Sequence, residues 1–147
     1  PFALTVVAQC AVLFAFGHLV YDLNLGDLSA LALIVAALSV AGTGLGLGLS
    51  FVMPGEGAAM VVTQLISMGG AMLGGLWVPS YMLPQFVQTI GHFTPQYWAQ
   101  HSLVNVIAHN AHIADVAGGV VVLLTFGLAG LALAFFRLPG FLRTAAS

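Results

Sequence analysis

Gly74-Gly75-Leu76-Trp77-Val78-Pro79-Ser80-Tyr81-Met82-Leu83-Pro84, resumed by Phe93-Thr94-Pro95-Gln96-Tyr97-Trp98, is the stretch on which the fold turns. It separates two apolar segments, each long enough to cross a bilayer. Its prolines and aromatics fall where a chain would leave lipid, fold against the interface and re-enter.

Only 4% of the residues are charged, 61% are hydrophobic and the mean hydropathy is +1.10. The surface left after folding therefore cannot be the charged mixture that keeps a soluble domain dispersed, and the bilayer must be the main solvent. Residues 28 to 55, 57 to 114 and 116 to 136 hold no charge, whereas about 20 apolar residues span the hydrocarbon core. Spans are expected at roughly 2 to 20, 28 to 52, 58 to 78 and 116 to 136. They are too long for barrel strands and lack the alternation a barrel requires. The expected fold is all-α: a polytopic bundle of about four transmembrane helices plus two short re-entrant or interfacial helices before the last span.

The connectors are 21 to 27, 53 to 57 and the long stretch 79 to 115, the first two punctuated by Gly, Pro, Asn and Asp. Pro84 and Pro95 can each open a short helix, and Thr94 is a good N-cap ahead of Pro95. One helix is expected over Pro84 to Ile90 and a second from Pro95 to about Ala111. Trp77, Tyr81, Tyr97 and Trp98 cluster at the edges of this connector, where amphipathic rings favour the headgroup level. Arg137 and Arg143, the two basic residues besides histidine, follow the last span. The positive-inside rule then places the tail in the cytoplasm and the 79 to 115 connector outside.

The chain begins at Pro1 and its first methionine is Met53, so it reads as the C-terminal portion of one transmembrane domain, over 1 to 147, with earlier spans missing. The first segment lacks the basic flank of a signal peptide. Cys10, the single cysteine, leaves no intramolecular disulfide.

Gly42, Gly44, Gly46 and Gly48 overlap as two small-xxx-small pairs and read as helix-packing positions. Nucleotide binding does not fit: GxGxxG spacing is absent, and there is no lysine for a P-loop. His101, Asn105, His109 and His112 advance by four, four and three residues, forming one stripe. At 1.5 Å rise per residue, His101 and His109 stand about 12 Å apart, too far for one metal ion on a straight helix. The stripe reads first as a solvated or headgroup-facing polar edge, second as a polar lining at the outer mouth of a transport path. Tyr97, Val104, Ala108 and Ala111 form a neighbouring apolar face, and Asp115 is placed to pair with His112. No metal site and no catalytic residue is expected: the spans hold no carboxylate pair, no nucleophile beside a base and no HExxH.

A span ending Gly74-Gly75-Leu76-Trp77-Val78-Pro79, then Met82-Leu83-Pro84, a short helix, Thr94-Pro95-Gln96-Tyr97-Trp98-Ala99 and a last span closing on Phe135-Phe136-Arg137 resembles the C-terminal half of an ABC-2 type exporter permease. The resemblance implies that these are the third to sixth of six spans and that the connector forms a re-entrant helix pair. It also implies that two such domains, as a homodimer or paired halves, associate over ATPase subunits that bind ATP and Mg. On this likeness Gly74, Gly75, Trp77, Pro79, Pro84, Thr94, Pro95, Tyr97 and Trp98 are the motif residues.

Ion-driven carriers keep titratable groups within their spans. Here only His18 approaches, near a helix end, so a motor on a partner fits better. The expected function is the permease subunit of an exporter in the cytoplasmic (inner) membrane, multi-pass and among lipids, moving an amphiphilic or hydrophobic cargo. The chain itself is expected to be no enzyme and to bind no cofactor, and no nucleic-acid partner is expected. A non-transporting scaffold with the same fold, or a channel or ion-coupled carrier, are the alternatives.

Overall fold

A chain in hydrocarbon has no water to satisfy its backbone, so each spanning segment must close its own hydrogen bonds. A computed structural model describes residues 2 to 22, 25 to 53 and 55 to 145, with backbone alone for Phe2, Ala3, Ser80 and 139 to 145. Leu23, Asn24 and Pro54, in the first two connectors, lie outside the described residues, as do Pro1 and the last two residues. The described residues are helical, without a strand: α1 (Phe2–Tyr21), α2 (Leu28–Val52), α3 (Glu56–Leu73), α4 (Gln85–Gly91), α5 (Pro95–His109) and α6 (Ile113–Ala145). A 3-10 turn, Ser80–Met82, precedes α4. Among these, α1, α2, α3 and α6 are long and apolar enough to cross a membrane.

Two spans differ from the hydropathy reading. The third span was expected over 58 to 78, but α3 starts at Glu56 and stops at Leu73. Gly75 takes φ +82, the N–H of Leu76 reaches the Ala71 carbonyl at 3.0 Å, and the N–H of Gly75 reaches that of Met72 at 3.2 Å. This is a Schellman cap, and it ends the helix while the sequence is still apolar. The last span was expected to end at 136, yet α6 runs 33 residues, through Arg137 and Pro139 to Ala145. At 1.5 Å per residue that is about 50 Å, well beyond a hydrocarbon core of about 30 Å. Hydropathy marks where lipid ends; the helix continues past it.

The core joins three helices. Ala30, Leu31, Ile34, Ala37 and Ala41 of α2 meet Ala99 and Val106 of α5 and Val116, Val120 and Leu123 of α6, with Phe14 of α1 packed against them. Lipid tails are as apolar as leucine, so these helices associate through close packing rather than escape from water. Glycine supplies the closeness. A Cβ added to Gly44 would strike the Gly127 carbonyl, one on Gly48 would lie 2.7 Å from the Gly130 carbonyl, and one on Gly127 would lie 2.8 Å from the Val40 carbonyl. The contacts advance together along both helices, so α2 and α6 run parallel with touching backbones. Gly42 and Gly46, also expected to pack, sit on another face, where an added Cβ meets nothing within 4 Å.

That division gives opposite signs to the same substitution. Gly44→Ala and Gly127→Ala should destabilise the purified permease by about 1–3 kcal/mol, as overpacked cores do. Gly42→Ala and Gly46→Ala should be neutral or stabilising by up to about 1 kcal/mol, through the better helix propensity of alanine. Thermal unfolding of the four variants, read as ΔTm against the parent, checks the contrast.

Candidate functional site

The connector is built around close backbone contacts. Pro84 is the N-cap of α4 rather than its first residue, and Gly91 ends that helix against the Leu73 carbonyl, which leaves no room for a Cβ. Thr94 caps α5: its hydroxyl accepts from the Tyr97 N–H at 3.4 Å and donates to the Gly91 carbonyl at 2.7 Å. Pro95 follows in the first turn, where a missing N–H costs nothing.

From there α5 climbs between α3 and α6. The Gln96 side chain lies over Gly70, so close that an added Cβ would come within 2.6 Å of it, and the Tyr97 N–H sits 2.8 Å from where a Gly74 Cβ would be. Gln100 Nε2 donates to the Gly75 carbonyl at 2.8 Å, while its Oε1 is buried without a donor. On the opposite face Ser102 fills the space beside Gly119. The last span thus begins beside α5, and the α4–α5 pair packs back against the bundle instead of looping away from it.

The aromatic residues divide. Trp98 is half-buried and its Nε1 donates to the His92 carbonyl at 2.7 Å. The Tyr97 ring lies between the His92 ring, 4.2 Å away centroid to centroid, and the His101 ring, stacked at 5.7 Å. Trp77 and Tyr81 are 66% and 75% exposed, and Pro79 is exposed beside them. Those side chains are free to meet a membrane interface.

The histidine stripe is shorter than its spacing suggested. His101 and His109 are exposed and Asn105 is half-buried on α5, but the helix stops at His109. Asn110 turns left-handed at φ 51, and the Asn105 carbonyl takes the N–H of Asn110 and of Ala111. His112 therefore leaves the stripe. On the neighbouring apolar face Val104 and Ala108 are exposed, while the buried positions of α5 are Ala99, Ser102 and Val106. Among the described residues no group of three or more His, Cys, Asp or Glu is placed to hold a metal ion.

His112 instead reaches across the fold. Its Nδ1 lies 3.2 Å from Asp27 Oδ2, 85 residues away in sequence. Asp115, expected to pair with the ring, takes the His112 backbone N–H at 3.0 Å, the reciprocal half of a capping box at the start of α6. Asp27 caps α2 through the N–H groups of Ser29 and Ala30, at 2.9 and 3.3 Å, and also accepts the Ser29 hydroxyl. The Ser29 hydroxyl first and the His112 ring second hold its carboxyl down at about 2. Gly26, at φ +63, presses the same loop onto the Val106 carbonyl with no room for a Cβ.

Away from the connector, α3 is open. Gly70 is its one buried residue among those described. Met60, Gln64 and Met68 share a face with Val61, Leu65 and Met72, and Met60, Val61, Gln64 and Leu65 line a shallow depression. Met60 is 75% exposed, and Gln64 makes no side-chain hydrogen bond among the described residues. Gly70 and Gly119 read from the sequence as packing positions, and both are closely approached; the contacts of Gln96, Gln100 and Asp27 escaped sequence reading, because a lone polar residue carries no periodic signal.

Four helices long and apolar enough to cross a membrane, with a short helix pair before the last, mark a multi-pass membrane protein. Residues 2 to 136 match the family described as ABC-2 family transporter protein, and the chain belongs to that family. It is 27% identical over 118 residues to the linearmycin resistance permease protein LnrN of Bacillus subtilis (strain 168), a match covering 80% of this chain. The chain spans about a third of that relative's length, 31%. No solved structure matches.

The cap at the end of α3 can be tested directly. Gly75→Ala forces a side chain into the left-handed region and should cost about 1–2 kcal/mol. Gly69→Ala, with open space around its Cβ, should cost nothing or stabilise slightly. Unfolding midpoints of the two variants separate a cap from a generic small residue.

Proposed function

We propose that this chain forms part of the permease subunit of an ATP-binding cassette exporter, and that α3 offers its open face to an amphiphilic or hydrophobic cargo such as a drug, antibiotic or lipid-like molecule. The observation that carries the reading is the composition of that face. Met60, Met68 and Met72 are exposed on α3 with Gln64 among them. Methionine is flexible and polarisable and suits surfaces that accept varied apolar shapes. An amide transferred from water to hydrocarbon without a partner costs roughly 4–8 kcal/mol, so Gln64 argues that this face meets a polar-lined path or a partner helix rather than lipid tails. The name of the relative, which ties it to linearmycin resistance, favours export of a harmful compound.

Energy comes from ATP, hydrolysed with Mg on a separate ATPase subunit. The chain contributes no catalytic site or cofactor of its own and pairs with a second permease copy in the cytoplasmic membrane. The Arg137 end of α6 faces the cytoplasm and the connector faces outward, following the distribution of basic residues.

Phe86 is 67% exposed on α4. In a Cys10→Ser background, Phe86→Cys should react with a membrane-impermeant maleimide added outside intact cells; labelling only after access to the cytoplasmic side would reverse the topology. Vesicles containing the complete permease and its ATPase should move cargo with ATP and not with a proton or sodium gradient alone. The combined change His101→Gln, His109→Gln and His112→Gln should leave that transport within a few fold at fixed pH. Gradient-driven transport without ATP would end the exporter reading.

A further inference from the structure

All five histidines of the chain stand at the connector end of the bundle: His18 in the last turn of α1, His92 after α4, His101 and His109 on α5, and His112 ahead of α6. Asp22, Asp27 and Asp115 share that end, while Arg137 and Arg143 follow at the opposite end of α6. With neutral imidazoles the connector end is acidic; with protonated ones its sign reverses. One imidazole also bridges two parts of the fold, because His112 joins the α1–α2 loop to the α5–α6 junction through Asp27 at 3.2 Å.

We propose that the His112–Asp27 contact is a protonation-dependent clasp, tightening the α1–α2 loop onto the α5–α6 junction in mildly acidic medium and loosening it toward alkaline pH. Beside it, two contacts of the attachment carry no titratable group. Gly26 meets the Val106 carbonyl through backbone, and Leu25 packs on the apolar core. Asp27 stays ionised, since the Ser29 hydroxyl and then the His112 ring hold its carboxyl at about 2. Histidine is the side chain whose charge ordinarily changes between pH 5 and 8.

The charged groups facing His112 are Asp27 from the loop and Asp115 from α6, which holds the His112 backbone N–H at 3.0 Å. Among the described residues, His18, Tyr21 and Asp22 at the end of α1 and His109 in the last turn of α5 are further titratable groups at the neighbouring helix ends. The two facing groups are carboxylates, so a proton on the imidazole is attracted by both. The sign is therefore fixed. Attraction is present once the imidazole is protonated and is lost as pH rises and it becomes neutral. His112 is 79% exposed, so the pair is a surface one, weakened by solvent and salt.

The test is hydrogen exchange on the purified full-length permease in nanodiscs at pH 5.5 and 8.0, with rates corrected for intrinsic chemistry. Amides of 25 to 31 and 110 to 115 should be about two- to five-fold better protected at the lower pH. His112→Gln should bring that ratio to about one. Asp27→Asn should do the same while keeping an N-cap acceptor, so that α2 still starts where it does. His109→Gln should leave the parental ratio in place. A parental ratio of one, or a ratio that survives either His112→Gln or Asp27→Asn, would overturn the clasp. Loss of the ratio in His109→Gln would assign the titration to another imidazole and overturn it equally.

Discussion

Everything in this bundle hangs on the backbone contact between α2 and α6. In lipid, two apolar helices gain little by burying leucine against leucine, because the tails they displace are equally apolar. What lipid cannot match is peptide against peptide. Gly44 and Gly48 set against Gly127 and Gly130 bring the helices near enough for carbonyls to occupy the space of absent side chains. The parallel course of the two helices then places the starts of both at one end, and only with that register can Asp27 and His112 meet.

The rest is carried by this pair in sequence. Its connector end holds α5 through Ala99, Ser102 and Val106, with Ser102 set into the gap at Gly119. In turn α5 grips the last turn of α3 through Gln96 over Gly70 and Gln100 at Gly75, and Gly91 fits under Leu73. Each step sets a side chain or a carbonyl against a glycine, and the grip on α3 lies at its Leu73 end. Toward Glu56 the same helix turns mostly exposed side chains outward. A helix fixed at one end and open along its length is suited to change neighbours without dissolving the fold.

Hydropathy made the four long helices legible, because a span is a bulk property of some twenty residues. Thr94-Pro95 marked the start of α5 for a local reason, a cap followed by a residue that needs no N–H. Ends were harder to read. Gly75 stops α3 through its dihedral angle, not its polarity, and Asn110 stops α5 in the same left-handed way. The glycine run of α2 announced close packing but not its direction; only the partner helix separates Gly44 from Gly42. Least legible was His112, since a contact bridging 85 residues is created by the fold and leaves no spacing in the sequence. The family motif supplies caps, edge aromatics and the Gly74 and Gly75 contacts, while Gln96 and Gln100, which reach this end of α3 from α5, stand outside the motif residues.

Polarity is distributed as the bilayer demands. The charged residues and histidines gather where the spans end, leaving the spans with amides, hydroxyls and the Cys10 thiol at most. Ser39, buried on α2, returns its hydroxyl to the Val35 carbonyl at 2.7 Å, and Thr125 does the same with Val121 at 2.8 Å. Gln64 has no such local solution, because its amide reaches past its own helix and carries more donors and acceptors than one carbonyl can satisfy. A group of that kind persists within a span only where something polar meets it. The exposed glutamine of α3 carries a desolvation cost that a polar neighbour would offset, and this sets its open face apart from the glycine-sealed faces of α2 and α6.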